Sequence, residues 1–67
     1  MSVARRTTIT AASPRGFEDA VRTGLERASR TLRGISGLHI VDQKAKVEQG
    51  RISEYRVTMA VTFILED

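Results

Sequence analysis

The C-terminal part of this chain alternates strictly between two kinds of side chain, which is the period of a β-strand with two different faces. The run covers residues 51–65, and one face is apolar: Tyr55, Val57, Met59, Val61, Phe63 and Leu65. The opposite face is smaller or more polar: Arg56, Thr58, Ala60, Thr62 and Ile64. A strand with one apolar face must be covered by another element, which limits the fold to layered architectures.

One amphipathic helix is available to cover that face. Ser13-Pro14 predicts its start, because serine is a favoured N-cap and proline fits the first helical position, and Gly34 predicts its end as a C′ glycine. Gly24 predicts the close approach of another backbone. Between these limits, over residues 14–33, apolar side chains recur at spacings of four and three. They form one stripe: Phe17, Val21, Leu25, Ala28 and Leu32.

Two more strands complete the pattern. Residues 3–10 and 37–48 have strand-like composition, and a Gly-containing turn at 48–51 joins the second of them to the alternating run. Residues 1–67 therefore form one predicted α+β domain of β-α-β-β order. A single helix covers only one face of such a sheet. The uncovered face is predicted to be semi-apolar, with these residues among threonines: Val41, Ala45, Ala60 and Ile64.

The size of the chain indicates self-association. A domain of about this length buries only about 60% of the surface that its unfolded chain exposes, and small scaffolds usually need disulfides, a metal or oligomerisation. The 67 residues include no cysteine and one histidine, so neither a disulfide nor a Cys/His metal site is available. Assembly with further copies is the remaining way to stabilise the fold.

The motifs of common enzyme classes are missing. His39 has no nucleophile partner at a recognisable spacing and is interpreted as a surface or interface histidine. No dinucleotide, P-loop or zinc-protease motif is present. No apolar run reaches the length of about 20 residues that spans a bilayer, and the N-terminus does not resemble a signal peptide. We therefore predict a cytoplasmic protein that is not an enzyme and does not enter membranes.

The charge is unevenly distributed. Of a net charge of +3, the excess lies in residues 1–34, which contain seven arginines. These arginines are interpreted as a solvated helix face, with a basic adaptor for nucleic acid or protein as an alternative. Nucleic-acid binding would also need exposed aromatic side chains. The three aromatic residues all fall on predicted core faces: Phe17, Tyr55 and Phe63.

Two stretches of the chain together resemble the dodecin family from Val3 to Leu65. The helix carries Ser13-Pro14-x-x-Phe17-Glu18-x-Ala20-Val21 and Glu26-Arg27-Ala28-Ser29-x-Thr31-Leu32-Arg33. The hairpin carries Val41-x-Gln43, Val47-Glu48-x-Gly50-Arg51-Ile52-x-Glu54-Tyr55, Val57-Thr58 and Phe63. The resemblance implies a three-stranded antiparallel sheet wrapped on one helix and a hollow homo-dodecamer. It also implies a flavin storage protein that holds FMN, riboflavin or lumichrome at subunit contacts.

Two positions depart from the flavin-binding pattern of that family. Flavin-binding dodecins have a tryptophan at the start of the second strand, which stacks on the flavin, and Gly37 stands at that position here. They also have a glutamine after the tyrosine of the third strand, and Arg56 stands there. Lys44 lies where some members have a basic residue near the ligand. The expected ligand-binding residues are therefore Gly37, Lys44 and Arg56, and flavin binding is expected to be weakened.

A calcium-binding shell is the alternative, because the family also includes members that resemble calcium-associated dodecins. Calcium takes six to eight oxygen ligands, and no EF-hand-like cluster occurs in the sequence. Such a site would therefore form between subunits. The candidate ligands are Asp42, Glu48, Glu54 and the C-terminal Glu66-Asp67.

Overall fold

The computed structural model describes residues 3–65 and confirms the β-α-β-β order. Its elements are β1 (Val3–Ser13), α1 (Phe17–Ala28), β2 (Ile35–Glu48) and β3 (Arg51–Leu65). The strands form one antiparallel sheet in the order β1-β3-β2, so the alternating strand β3 lies in the centre. None of the helical residues in the described range forms a segment long and apolar enough to cross a membrane.

The first strand is longer than predicted, and the helix begins later. Ser13 is the last residue of β1 and pairs with Tyr55, whereas the prediction made it the N-cap of a helix beginning at Pro14. A residue before proline is disfavoured in the helical region, which keeps Ser13 extended. Its buried hydroxyl donates to Asp19 Oδ2 at 2.6 Å and accepts the Arg15 N–H at 3.0 Å. Ser13 therefore links β1 to the first turn of α1.

The helix also ends earlier than predicted, at Ala28 instead of residue 33. The hydroxyl of Ser29 donates to the Glu26 carbonyl at 3.0 Å, which is the acceptor that the Arg30 N–H would use if the helix continued. The Arg30 N–H bonds the Arg27 carbonyl instead, at 3.2 Å, so the α-helical ladder ends there. Gly34 is therefore not the C′ glycine. It has a φ of 72°, and its carbonyl accepts the Ile64 N–H at 2.9 Å, which holds the start of β2 beside the end of β3.

The core lies between α1 and the β1–β3 half of the sheet. The predicted face of β3 is confirmed, because Val57, Met59 and Val61 are its fully buried side chains. On the helix, the buried row consists of small residues at i, i+4 and i+8, which are Ala20, Gly24 and Ala28. Of the predicted stripe, Ala28 is therefore confirmed as buried, and the larger members are only partly buried: Phe17, Val21, Leu25 and Leu32. Small residues in this row allow the helix to lie close to the sheet.

Gly24 is the point of closest approach. A Cβ atom at this position would lie 2.6 Å from Met59 Cε and 2.9 Å from Ala11 Cβ. The predicted close approach is confirmed, but side chains of β1 and β3 make it, and not another backbone. A larger residue at position 24 would require the Met59 side chain to rotate away and α1 and β1 to separate slightly at Ala11.

The hairpin between β2 and β3 is confirmed and contains a bulge that the sequence did not reveal. Gln49 and Gly50 have φ values of 53° and 76°, as a two-residue type I′ turn requires. The register shifts between Ile40 and Asp42, so Val41 is an extra residue. This shift reverses the alternation, and Ala45 consequently lies opposite Tyr55 on the helix side of the sheet. The prediction that Ala45 belongs to the uncovered face was wrong.

The fold leaves large apolar side chains exposed at both ends of an elongated body of 52 × 19 × 13 Å. Val3 and Leu65 pair across β1 and β3 and are 59% and 43% exposed. Val47 and Ile52 pair beside the hairpin turn, beyond the end of β1, and are 61% and 48% exposed. A single copy therefore contains apolar surface that its own helix does not cover.

Candidate functional site

The candidate site lies on the outer face, by which we mean the side of the sheet opposite α1. The strand register determines its members, because residues paired across antiparallel strands share a face. On β2 they include Gly37, His39, Asp42, Lys44 and Lys46, and on β3 Glu54, Arg56, Thr58, Ala60 and Thr62. His39 is exposed and lies opposite Ala60, as expected for a surface histidine.

Two of the three predicted ligand-binding residues lie together. Lys44 pairs directly with Arg56 across β2 and β3, and both are exposed. They line a shallow groove of about 290 Å³ to which Lys46 and Glu54 also contribute. The groove therefore has three cationic side chains and one anionic side chain, and this balance favours a ligand with carbonyl or phosphate oxygens.

The Lys44–Arg56 pair is electrostatically unfavourable by itself. Directly opposed side chains in an antiparallel sheet have Cβ atoms about 4.5–5.5 Å apart, and like charges at this distance are destabilising. Each cation has an acid on its own strand: Lys44 Nζ lies 4.0 Å from Asp42 Oδ2, and Arg56 Nη2 lies 2.7 Å from Glu54 Oε2. Sequences tolerate such local conflicts mainly at functional sites.

The third predicted residue, Gly37, lies elsewhere on the outer face. It pairs with Thr62, which is six positions from Arg56 along β3. At about 3.3 Å per residue the two places are about 20 Å apart. No heavy atom lies within 4 Å of the position that a Cβ at Gly37 would take. One copy of the chain therefore cannot bring Gly37 and Arg56 to the same ring system, and a ligand that meets both must lie between copies.

The predicted metal ligands are not brought together in one copy. Asp42 pairs with Thr58, Glu54 with Lys46, and Glu48 with Arg51 next to the turn. Within residues 3–65, no group of three or more His, Cys, Asp or Glu side chains could hold a metal ion. Glu66 and Asp67 lie outside the described residues.

The sequence reasoning missed the pairing of Glu54 with Arg56. From the sequence, Glu54 belongs to the hairpin motif and is a candidate calcium ligand, but it is not identified as a partner of Arg56, although residues two apart on a strand share a face. The aromatic side chains lie where predicted. Phe17 and Tyr55 meet edge to face with ring centroids 5.0 Å apart, on the helix side of the sheet. They are therefore not platforms on the outer face.

Comparison with known proteins agrees with this architecture. The family model described as Dodecin matches residues 3–66. A curated dodecin of Thermus thermophilus is 28% identical over 65 residues, which cover 97% of this chain and 94% of that protein. The structure of a T. thermophilus dodecin variant in which a tryptophan is replaced by phenylalanine is also similar to this chain. The unmodified T. thermophilus dodecin therefore contains a tryptophan, whereas this chain has none.

Two further solved structures have similar folds. The dodecin from Streptomyces davaonensis is 35% identical, with a TM-score of 0.93 and coverage of 98% of this chain and 97% of that one. The calcium dodecin of Mycobacterium tuberculosis, described as having a novel calcium-binding site, is 27% identical, with a TM-score of 0.82 and coverage of 97% and 93%. The match along nearly the whole chain and the shared β-α-β-β sheet show that this protein belongs to the dodecin family.

Proposed function

We propose that this dodecin stores flavin, with FMN, riboflavin or lumichrome held at the contacts between subunits of a homo-dodecamer. The carrying observation is the Lys44–Arg56 pair over an open groove on the outer face, in a chain of this family. Both side chains donate hydrogen bonds to carbonyl oxygens, and a guanidinium also stacks on flat rings. The site offers no nucleophile–base pair, so the proposed role is binding and not catalysis.

The exposed apolar ends of the sheet support assembly. Val47 and Ile52 extend beyond the three-stranded part of the sheet, where one copy of the chain cannot bury them. Burial against a second copy stabilises each such side chain by about 25 cal/mol per Å² of apolar surface removed from water. Gly37 and Arg56, about 20 Å apart in one copy at the usual strand rise, would then approach one ligand from different subunits.

The affinity is expected to be reduced because Gly37 provides no ring. Aromatic stacking on a base contributes about 1–3 kcal/mol in nucleic-acid sites, and a loss of 1.4 kcal/mol weakens binding about tenfold. Titrating riboflavin with the purified protein and following the anisotropy of flavin fluorescence tests the proposal. Anisotropy rises when a flavin joins a large assembly, whether or not its emission is quenched. No rise at high micromolar protein would refute flavin binding.

Calcium is a second candidate ligand because one structural relative is described as a calcium dodecin. In this chain the carboxylates of Asp42, Glu48 and Glu54 would have to meet across subunit contacts. Calorimetric titration of chelator-treated protein with calcium tests this alternative, with magnesium as the control. Heat of binding and a higher melting temperature with calcium would support it, and an unchanged melting temperature would exclude it.

A further inference from the structure

Glu54 and Arg56 form a preassembled polar edge on the outer face. They are two residues apart on β3, and Arg56 Nη2 donates to Glu54 Oε2 at 2.7 Å. About one third of the Glu54 side chain and about half of the Arg56 side chain are exposed. A carboxylate has about four acceptor positions, and the bond to Arg56 occupies one of them. With the bond between them formed, Glu54 can still accept a hydrogen bond from a ligand and Arg56 can still donate to it.

This combination differs chemically from an arginine alone. A guanidinium donates only, and an ionised carboxylate accepts only. Side by side, they offer the donor and the acceptor that one primary amide offers. The pyrimidine edge of a flavin has the complementary pattern, because its N3–H donates and its two flanking carbonyl oxygens accept. Arg56 can satisfy a carbonyl oxygen, but the N3–H needs an acceptor that Arg56 does not have.

We propose that Glu54 accepts the hydrogen bond of the flavin N3–H while Arg56 donates to the adjacent carbonyl, so that the pair determines specificity for a free imide edge. This inference rests on the proposed function. Other groups at the groove are less suitable, because Lys44 and Lys46 have no acceptor atom. Asp42 lies further along the sheet, opposite Thr58.

The test compares riboflavin with N3-methylriboflavin, which lacks the donor, in the full-length protein. Because the acceptor is charged, we expect the unmodified protein to bind the methylated flavin about tenfold more weakly or worse. Glu54→Ala should weaken riboflavin binding about tenfold and abolish the preference for riboflavin over N3-methylriboflavin. Glu18→Ala, which removes an exposed carboxylate of α1 away from the outer face, should keep this preference. Arg56→Gln should make Glu54→Ala nearly neutral, because the amide itself then donates and accepts.

The possible results separate this inference from the proposed function. Equal binding of the two flavins by the unmodified protein, a measurement that needs no variant, would overturn the role of Glu54 alone. A folded and assembled Glu54→Ala variant that still prefers riboflavin over N3-methylriboflavin by the same factor would also overturn the role of Glu54. The methyl group would then weaken binding only by its bulk. If the unmodified protein bound neither flavin at high micromolar concentration, the proposed function would be refuted, and this inference would fall with it.

Discussion

Replacing Gly37 by tryptophan should raise the affinity for flavin. A Cβ atom at Gly37 would meet no heavy atom within 4 Å, and the residue lies in β2. The added ring therefore enters open space on the outer face without displacing a neighbour of its own chain. Glycine also weakens a strand interior by about 0.5–1 kcal/mol relative to alanine. The free energy of unfolding of Gly37→Trp should consequently be unchanged or higher.

The size of the effect follows from stacking. An aromatic platform contributes about 1–3 kcal/mol per stacked ring, which corresponds to an increase in affinity of about five- to 150-fold. Arg56 and Lys44 remain in place, so the polar contacts should be unaffected. Replacing Arg56 by alanine in the same background should then lower the affinity by the contribution of the polar contacts and leave the gain from stacking.

Titration of riboflavin, followed by fluorescence anisotropy, measures the gain directly. Gly16→Trp is the matched control, because a Cβ at Gly16 also meets nothing within 4 Å and its φ of 163° is extended backbone. That residue precedes the helix, away from the outer face, and its replacement should leave the flavin affinity unchanged. Equal affinities for Gly37→Trp and the unmodified protein would refute the idea that Gly37 marks a vacant stacking place. An equal gain in Gly16→Trp would mean that any added indole suffices.

Three other substitutions test the fold and the assembly. Gly24→Ala should lower the free energy of unfolding by up to about 2 kcal/mol in urea denaturation. The new Cβ would lie 2.9 Å from the Ala11 Cβ, which has no other rotamer; overpacking costs about 1–3 kcal/mol, and the higher helix propensity of alanine offsets about 1 kcal/mol of this. Thr23→Ala on the exposed side of the helix should leave the stability unchanged or slightly higher, and equal stability of the two variants would contradict the close packing. Ser13→Ala should lower the free energy of unfolding by about 1–3 kcal/mol in the same assay, because it removes the buried hydrogen bond to Asp19. An unchanged free energy of unfolding would mean that this hydrogen bond does not stabilise the fold. Val47→Lys should lower the mass measured by light scattering while helix and strand content persist in circular dichroism, since Val47 is 61% exposed in one copy; an unchanged mass would place the subunit contact elsewhere.

Local pattern was sufficient for the order and type of the elements. The strict alternation in β3 needs only the period of the pleat, and the turn at Gln49-Gly50 needs only residues that tolerate a positive φ. The helix followed from its apolar spacing. The combined pattern also predicted the family, because helix and hairpin motifs recur at matching segment lengths along almost the whole chain. These features depend on neighbours in sequence, so one sequence is enough to find them.

Contacts between distant segments account for the rest. The helix begins at Phe17 and not at Pro14 because β1 continues to Ser13, which pairs with Tyr55 of β3, and a local capping rule does not include this long-range pairing. The bulge at Val41 moves Ala45 to the helix side, since an extra residue reverses the parity of everything after it. The same register sets Lys44 against Arg56 and separates both from Gly37, so the geometry of the site is a property of strand pairing.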